Sequence, residues 1–310
     1  MSKAFMQTAL LLLGILVVAS VIGGVLQWRA GGRSETVNNL NARIKAWWVM
    51  VAVMLVALGL GPIATVVVFG FSSLMALREF LTLTPTIKSD YWALFISFFV
   101  ALPGQYLLLG FGWYGLFAIF IPVYVFALVS SASALSQDTS DFLSRNARIV
   151  FALMCCVYGV SHAPALLMLS IPGFEGRNAQ LLFFFTFIVQ ISDVLQYVFG
   201  KLFGRHKLAP LLSPSKTWEG FIGGSLSSVA LGAALHFVTP FGPLTAGLLA
   251  AQIVLCGVLG GLVMSAVKRS LGAKDWGSGI AGHGGYMDRL DSLTFAAPVF
   301  FHLVRYFWTP

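Results

Sequence analysis

The sequence predicts an all-α, polytopic transmembrane protein, and three observations carry that prediction. Hydrophobic residues make up 58% of the chain and charged residues only 10%, too apolar a balance for a water-soluble core. Mostly apolar runs of about 20 residues, the length a bilayer crossing needs, recur along the whole chain. Lysine and arginine gather in alternate loops, as they do where short loops are retained in the cytoplasm.

About ten spans follow in order. The first covers Phe5 to Gln27; its apolar run is long for a signal peptide and no small-residue cleavage site precedes Trp28, so it reads as an anchor. Asn39 to Trp48 reads as an interfacial segment, with Arg43 and Lys45 placed to meet anionic headgroups. The block from Trp47 to Leu77 holds two spans divided near Gly61 and Pro62. Further spans are expected at Tyr91 to Leu109, Phe111 to Val129, Ile149 to Ile171, Leu181 to Phe199, Phe221 to Val238, Leu244 to Met264 and Leu293 to Trp308.

Of 19 lysines and arginines, all but Lys3, Arg177 and Arg305 fall on one side of this arrangement. That side is expected to be cytoplasmic, in a bacterial inner membrane, with both termini outside. The net charge of +8 is therefore an orientation signal; the cations are too scattered for a nucleic-acid surface. Cys155, Cys156 and Cys256 lie within spans and have neither disulfide nor zinc spacing. With no internal repeat and no soluble domain, residues 1–310 read as one membrane domain. Residues 190–292 read as a cytoplasm-facing catalytic region with a helical hairpin inside it.

Two polar segments in that region are rich in glycine and charge, Gly200 to Gly220 and Ser265 to Ser292. Together they offer backbone N–H groups, cations for phosphate and carboxylates for a divalent ion. Ordinary positive loops with turn glycines account for Lys201, Arg205, His206 and Lys207. They account poorly for Asp275, Asp288, Arg289 and Asp291, because carboxylates do not retain a loop in the cytoplasm. Asp193 lies well inside a span, where an ionisable group is costly and function is the first hypothesis, a neutral or internally bonded Asp the second. His283, flanked by glycines, is exposed to a ligand in this reading; His162, His236 and His302 read as packed histidines.

The stretch Ser265 to Asp291 closely resembles the signature of the phosphatidate cytidylyltransferases, or CDP-diacylglycerol synthases. Ser265, Lys268-Arg269, Lys274-Asp275, Gly277, Ile280, His283-Gly284-Gly285, Asp288-Arg289 and Asp291 stand at the family spacing. Asp193, Tyr197, Gly200, Gly204, Pro210, Ser213-Pro214 and Lys216-Thr-Trp-Glu-Gly220 resemble a second block of that family. Upstream the resemblance is only to a set of apolar spans. Three positions depart from the pattern: Ala281 replaces the usual Pro, Gly or Ser, and Tyr286 an aliphatic residue or Phe. At the third, Gly260-Gly-Leu262 stands where typical members have Gly-Asp-Leu, whose Asp is regarded as a metal ligand.

The resemblance implies that a phosphate oxygen of phosphatidate attacks the α-phosphorus of CTP, with Mg2+ as cofactor. It implies Asp288 as leading metal ligand, with Asp193 and Asp291 as further candidates. Lys216, Lys268, Arg269, Lys274 and Arg289 are then expected at phosphates, with Ser213 at substrate and Glu219, Asp275 and His283 at the catalytic centre. The expected partners are CTP, phosphatidate and membrane lipids; a homodimer is left open. Two other readings stay open: a divergent paralogue acting on another lipid phosphate or nucleotide, and a non-catalytic membrane protein or transporter. A transporter would place polar residues near the midplane of several spans, whereas here they gather in two loops on one side.

Overall fold

A computed structural model of the chain describes residues 3–29, 31, 35–277 and 284–310. Among these residues the fold is all-α and polytopic. Its long helical segments are α1 (Lys3–Arg29), α2 (Glu35–Leu60), α3 (Pro62–Leu83), α4 (Lys88–Gly110), α5 (Tyr114–Leu135), α6 (Phe142–Met168) and α7 (Asn178–Phe203). A two-stranded hairpin follows, β1 (Lys207–Ala209) and β2 (Ser213–Thr217), then α8 (Trp218–Val238), α9 (Pro243–Ser270) and α10 (Met287–Trp308). Eight of these segments are long and apolar enough to cross a membrane. The other two, α2 with its shorter apolar stretch Ile44–Leu60 and α10, coincide with the remaining expected spans.

The break between α2 and α3 falls where the sequence places it. Gly61 has φ of 109°, a left-handed backbone that favours glycine, and Pro62 begins α3 with its φ already helical. The hairpin departs from the expected loop. Pro210 occupies the second position of a turn closed by the Leu212 N–H donating to the Ala209 carbonyl at 3.2 Å, which suits its fixed φ. Antiparallel pairing then aligns Ala209 with Ser213 and Lys207 with Thr217, with an irregularity between. Helix α3 also runs past the apolar window to Leu83, carrying Arg78 and Glu79 within the helix.

Helix α6 is the most enclosed span, and its entry is held by a buried ion pair. Arg145 Nε donates to Asp90 Oδ1 at 3.1 Å, and Arg145 Nη2 donates to the Asp138 carbonyl at 3.3 Å. A guanidinium this buried is tolerable only with its hydrogen bonds filled. Hydrogen bonds from Ser140 and then Ser89 hold the Asp138 carboxyl below the usual carboxylate range. Helices α7 to α10 form the bundle that carries the polar segments. Small residues set their spacing, since packing rather than hydrophobicity draws helices together in lipid. A side chain at Gly224 of α8 would strike the α7 backbone at Gln196.

Pro172 and Leu211 are exposed at opposite ends of α7, which at 26 residues spans about 39 Å. In intact cells an impermeant maleimide should label Pro172→Cys and spare Leu211→Cys until the membrane is opened. The reverse pattern would overturn the orientation expected from the cations.

Candidate active site

Four elements converge on the site. Helix α7 supplies Asp193, β2 supplies Lys216, α9 supplies Gly261 and Lys268, and the first turns of α10 supply Asp288, Arg289, Asp291 and Ser292. Ser292 Oγ donates to Asp193 Oδ2 at 3.0 Å and lies 3.5 Å from Asp291 Oδ1, which also accepts the Ser292 N–H at 2.7 Å. Two half-buried carboxylates thus share one hydroxyl, whose single proton serves one of them at a time.

Gly261 lies beside this pair, and its missing side chain leaves room for the Lys216 ammonium. Lys216 Nζ stands 3.2 Å, and Ser292 Oγ 3.7 Å, from the point where a side chain at 261 would begin. Lys216 acts electrostatically on both Asp193 and Asp291, Arg289 on Asp193 and Lys268 on Asp291. Among the described residues Lys216 makes no direct ion pair. Its ammonium therefore acts on the two carboxylates without a direct ion pair to either.

Asp288 sits differently. Its Oδ1 accepts from Lys268 Nζ at 2.6 Å, and its Oδ2 accepts the N–H groups of Trp276 and Gly285, each at 2.9 Å. The two side chains are only 11% and 9% exposed. Both Asp288 oxygens are engaged by the protein, so the carboxylate clasps the end of α9, the turn after it and the start of α10. Among the described residues Asp193 and Asp291 accept fewer hydrogen bonds than Asp288 does.

The remaining predicted residues brace or border the site. Arg269 reaches the carbonyls of Leu212 and Ala273 at 3.4 and 3.1 Å, tying the hairpin tip to the turn after α9. Glu219 accepts the N–H groups of Arg205 and His206 at 3.0 and 3.2 Å and lies 2.6 Å from His206 Nδ1. Glu219 thus holds the segment that leads into β1. Thr217 Oγ1 caps α8 by accepting the Gly220 N–H at 3.1 Å. Ser213 is half-buried in β2, Lys274 and Asp275 are exposed on the bend after α9, and His283 lies outside the described residues. The sequence reading missed Glu79, whose Oε2 accepts the Met287 N–H at 2.9 Å. Its signal was a carboxylate in a helix whose apolar face continues to Leu83.

Residues 41–307 match the model of the cytidylyltransferase family. The chain is similar along nearly its whole length to the uncharacterized protein YnbB of Escherichia coli, 36% identical over 299 residues, or 95% of this chain and 96% of YnbB. It is 39% identical over 139 residues to the phosphatidate cytidylyltransferase of Aquifex aeolicus, covering 44% of this chain and 52% of that protein. It is 44% identical over 114 residues to the phosphatidate cytidylyltransferase of Staphylococcus haemolyticus, covering 36% of this chain and 44% of that protein. The match thus spans about half the length of the relatives that carry that name.

Breaking a buried pair strands the surviving charge, at a cost of about 3 kcal/mol. Lys268→Met, which leaves Asp288 without its cation, should therefore lower the unfolding temperature of the detergent-purified protein by several degrees. Lys274→Met on the exposed bend should leave it unchanged. Equal unfolding temperatures for both variants and the wild type would show that Asp288 is not a clasp.

Proposed function

Because the chain belongs to the cytidylyltransferase family, we propose that it transfers the cytidylyl group of CTP to phosphatidate in the membrane, yielding CDP-diacylglycerol and pyrophosphate. The observation that carries this reading is the pair Asp193 and Asp291, joined through Ser292, with the Lys216 ammonium seated against Gly261 beside them. A phosphate oxygen of the lipid attacks the α-phosphorus of CTP, a new P–O bond forms there, and the bond to the bridging oxygen of the β-phosphate breaks. The nucleophile is already anionic, so no general base is needed, and the protein's task is to align two anions and offset their charge.

Two carboxylates converging on one hydroxyl suit Mg2+, which takes one or two protein carboxylates and completes its shell with water and substrate phosphate. Among the described residues no group of three or more acidic, histidine or cysteine side chains is assembled, so water and substrate phosphate would have to complete the shell of an ion held by that pair. Asp193 and Asp291 are the proposed ligands, and the bound ion supplies charge neutralisation at the reacting phosphates. Lys216 and Arg289, cations that act on the carboxylate pair, hold phosphate oxygens. Lys274 and Asp275, exposed on the bend, border the entrance used by the nucleotide, and Asp288 keeps Lys268 and the α10 start in register. Ser213 and Glu219 support the hairpin that delivers Lys216. The site faces the cytoplasm of a bacterial inner membrane in this reading, where CTP is found, and the alternation of cationic loops supports that orientation.

In liposomes holding phosphatidate, Asp193→Asn and Asp291→Asn should each lower pyrophosphate release from CTP by about a hundredfold or more, since an amide cannot hold the ion against phosphate. Full rates across a Mg2+ titration would remove both residues from the metal site.

Gly261→Asp gives a sharper test. A carboxylate built at 261 begins 3.2 Å from Lys216 Nζ and pairs with it, withdrawing that charge from substrate. Turnover should fall with little change in the Mg2+ requirement. A lower Mg2+ requirement with turnover intact would instead mean that the new carboxylate joins the metal site and that Lys216 is dispensable.

A further inference from the structure

Glu79 and Phe80 lie in α3, far in sequence from the signature, yet they meet both flanks of it. On the entry side Trp276 is stacked on Phe80, with ring centroids 4.7 Å apart and planes 20° from parallel, and both rings are buried. On the exit side Glu79 Oε2 accepts the Met287 N–H at 2.9 Å, at the first turn of α10. Glycines at both flanks leave room for the same carboxyl. A side chain at Gly277 would begin 2.9 Å from Glu79 Oε1, and one at Gly285 would overlap the carboxyl group. The backbone at these two glycines therefore closes over Glu79.

We propose that Glu79, with Phe80 beside it, is the positioning residue of the signature segment, clamping its two flanks to α3 so that Asp288, Asp291 and Ser292 meet Asp193 and Lys216. This inference rests on the proposed reaction for its catalytic consequence and on geometry alone for the clamp. Met287 immediately precedes Asp288, so the Glu79 hydrogen bond and the Lys268–Asp288 pair fix the same turn of α10 from opposite sides. Neither contact involves Lys216 or Gly261. The clamp sets where the reacting groups stand without joining them, and it makes α3 part of the working site.

The test combines cleavage with turnover. Lys274 is exposed beside the clamped segment, so trypsin cutting after it reports local opening without any reaction. Losing a hydrogen bond to a charged group releases local order by about tenfold or more. Glu79→Ala should therefore be cut after Lys274 at least that much faster, and its cytidylyl transfer from CTP to phosphatidate should fall by a similar factor. Glu79→Gln retains an oxygen that accepts the Met287 N–H, and should resist trypsin and turn over nearly as the wild type does. Should Glu79→Ala fail to fold, Gly285→Ala gives the same test from the other side, because its methyl overlaps the Glu79 carboxyl; faster cleavage is expected there too.

Glu79→Gln as impaired in turnover as Glu79→Ala, with cleavage unchanged, would overturn the clamp and place the Glu79 charge at the reacting groups. Wild-type cleavage and turnover in Glu79→Ala or Gly285→Ala would overturn it as well. A wild-type chain that resists trypsin while its Glu79→Ala variant is cut, neither transferring anything from CTP, counts against the proposed reaction and supports the clamp.

Discussion

Asp288 accepts hydrogen bonds from Lys268, Trp276 and Gly285, and through them this carboxylate joins the end of α9 to the start of α10, where the site is built. Residues three and four apart on a helix share a face, so fixing Asp288 also fixes the directions of Asp291 and Ser292. Ser292 in turn reaches across to Asp193 on α7. Loss of the Asp288 contacts would free the end of α9 from the start of α10, and the two carboxylates that face Lys216 would lose their common hydroxyl. A buried Lys–Asp pair is costly to desolvate and so is weak as a source of stability; its value here is the register it imposes.

The same economy of charge explains Gly261 and Lys216. Most of the bundle has hydrocarbon for solvent, and the acidic and basic groups of α7, α9 and α10, Arg305 apart, collect at one end of it. Some are paired outright, as Asp288 is with Lys268. Lys216, Asp193 and Asp291 are close enough to act on one another without a direct ion pair, and a glycine stands where a side chain would crowd the Lys216 ammonium. Such an arrangement suits a ligand that carries both cation and anion, as a metal-bound triphosphate does.

Much of this was legible in the sequence because its signals are local. Apolar runs marked every helix, and Gly61-Pro62 marked the α2–α3 break through backbone conformation alone. Asp193 stood out as a carboxylate inside a span. The structure adds what depends on distant partners. The Asp288 role needs Lys268, Trp276 and Gly285 to be neighbours, and nothing in their spacing says that the carboxylate is saturated with protein donors. Glu79 was hidden because the apolar window ended before the helix did, and its partner lies more than 200 residues away. The β1–β2 hairpin was hidden because eleven residues of mixed polarity, Lys207 to Thr217, carry no clear alternation.

Family membership narrows the chemistry to nucleotidyl transfer, and the named relatives match only about half of their length. The acceptor therefore bears most directly on the account. Purified wild-type chain in liposomes, given CTP labelled at the α-phosphate, phosphatidate and Mg2+, should move the label into a lipid-soluble product in step with pyrophosphate release. Label remaining wholly in water-soluble nucleotide, from a protein shown to be folded, would contradict the account.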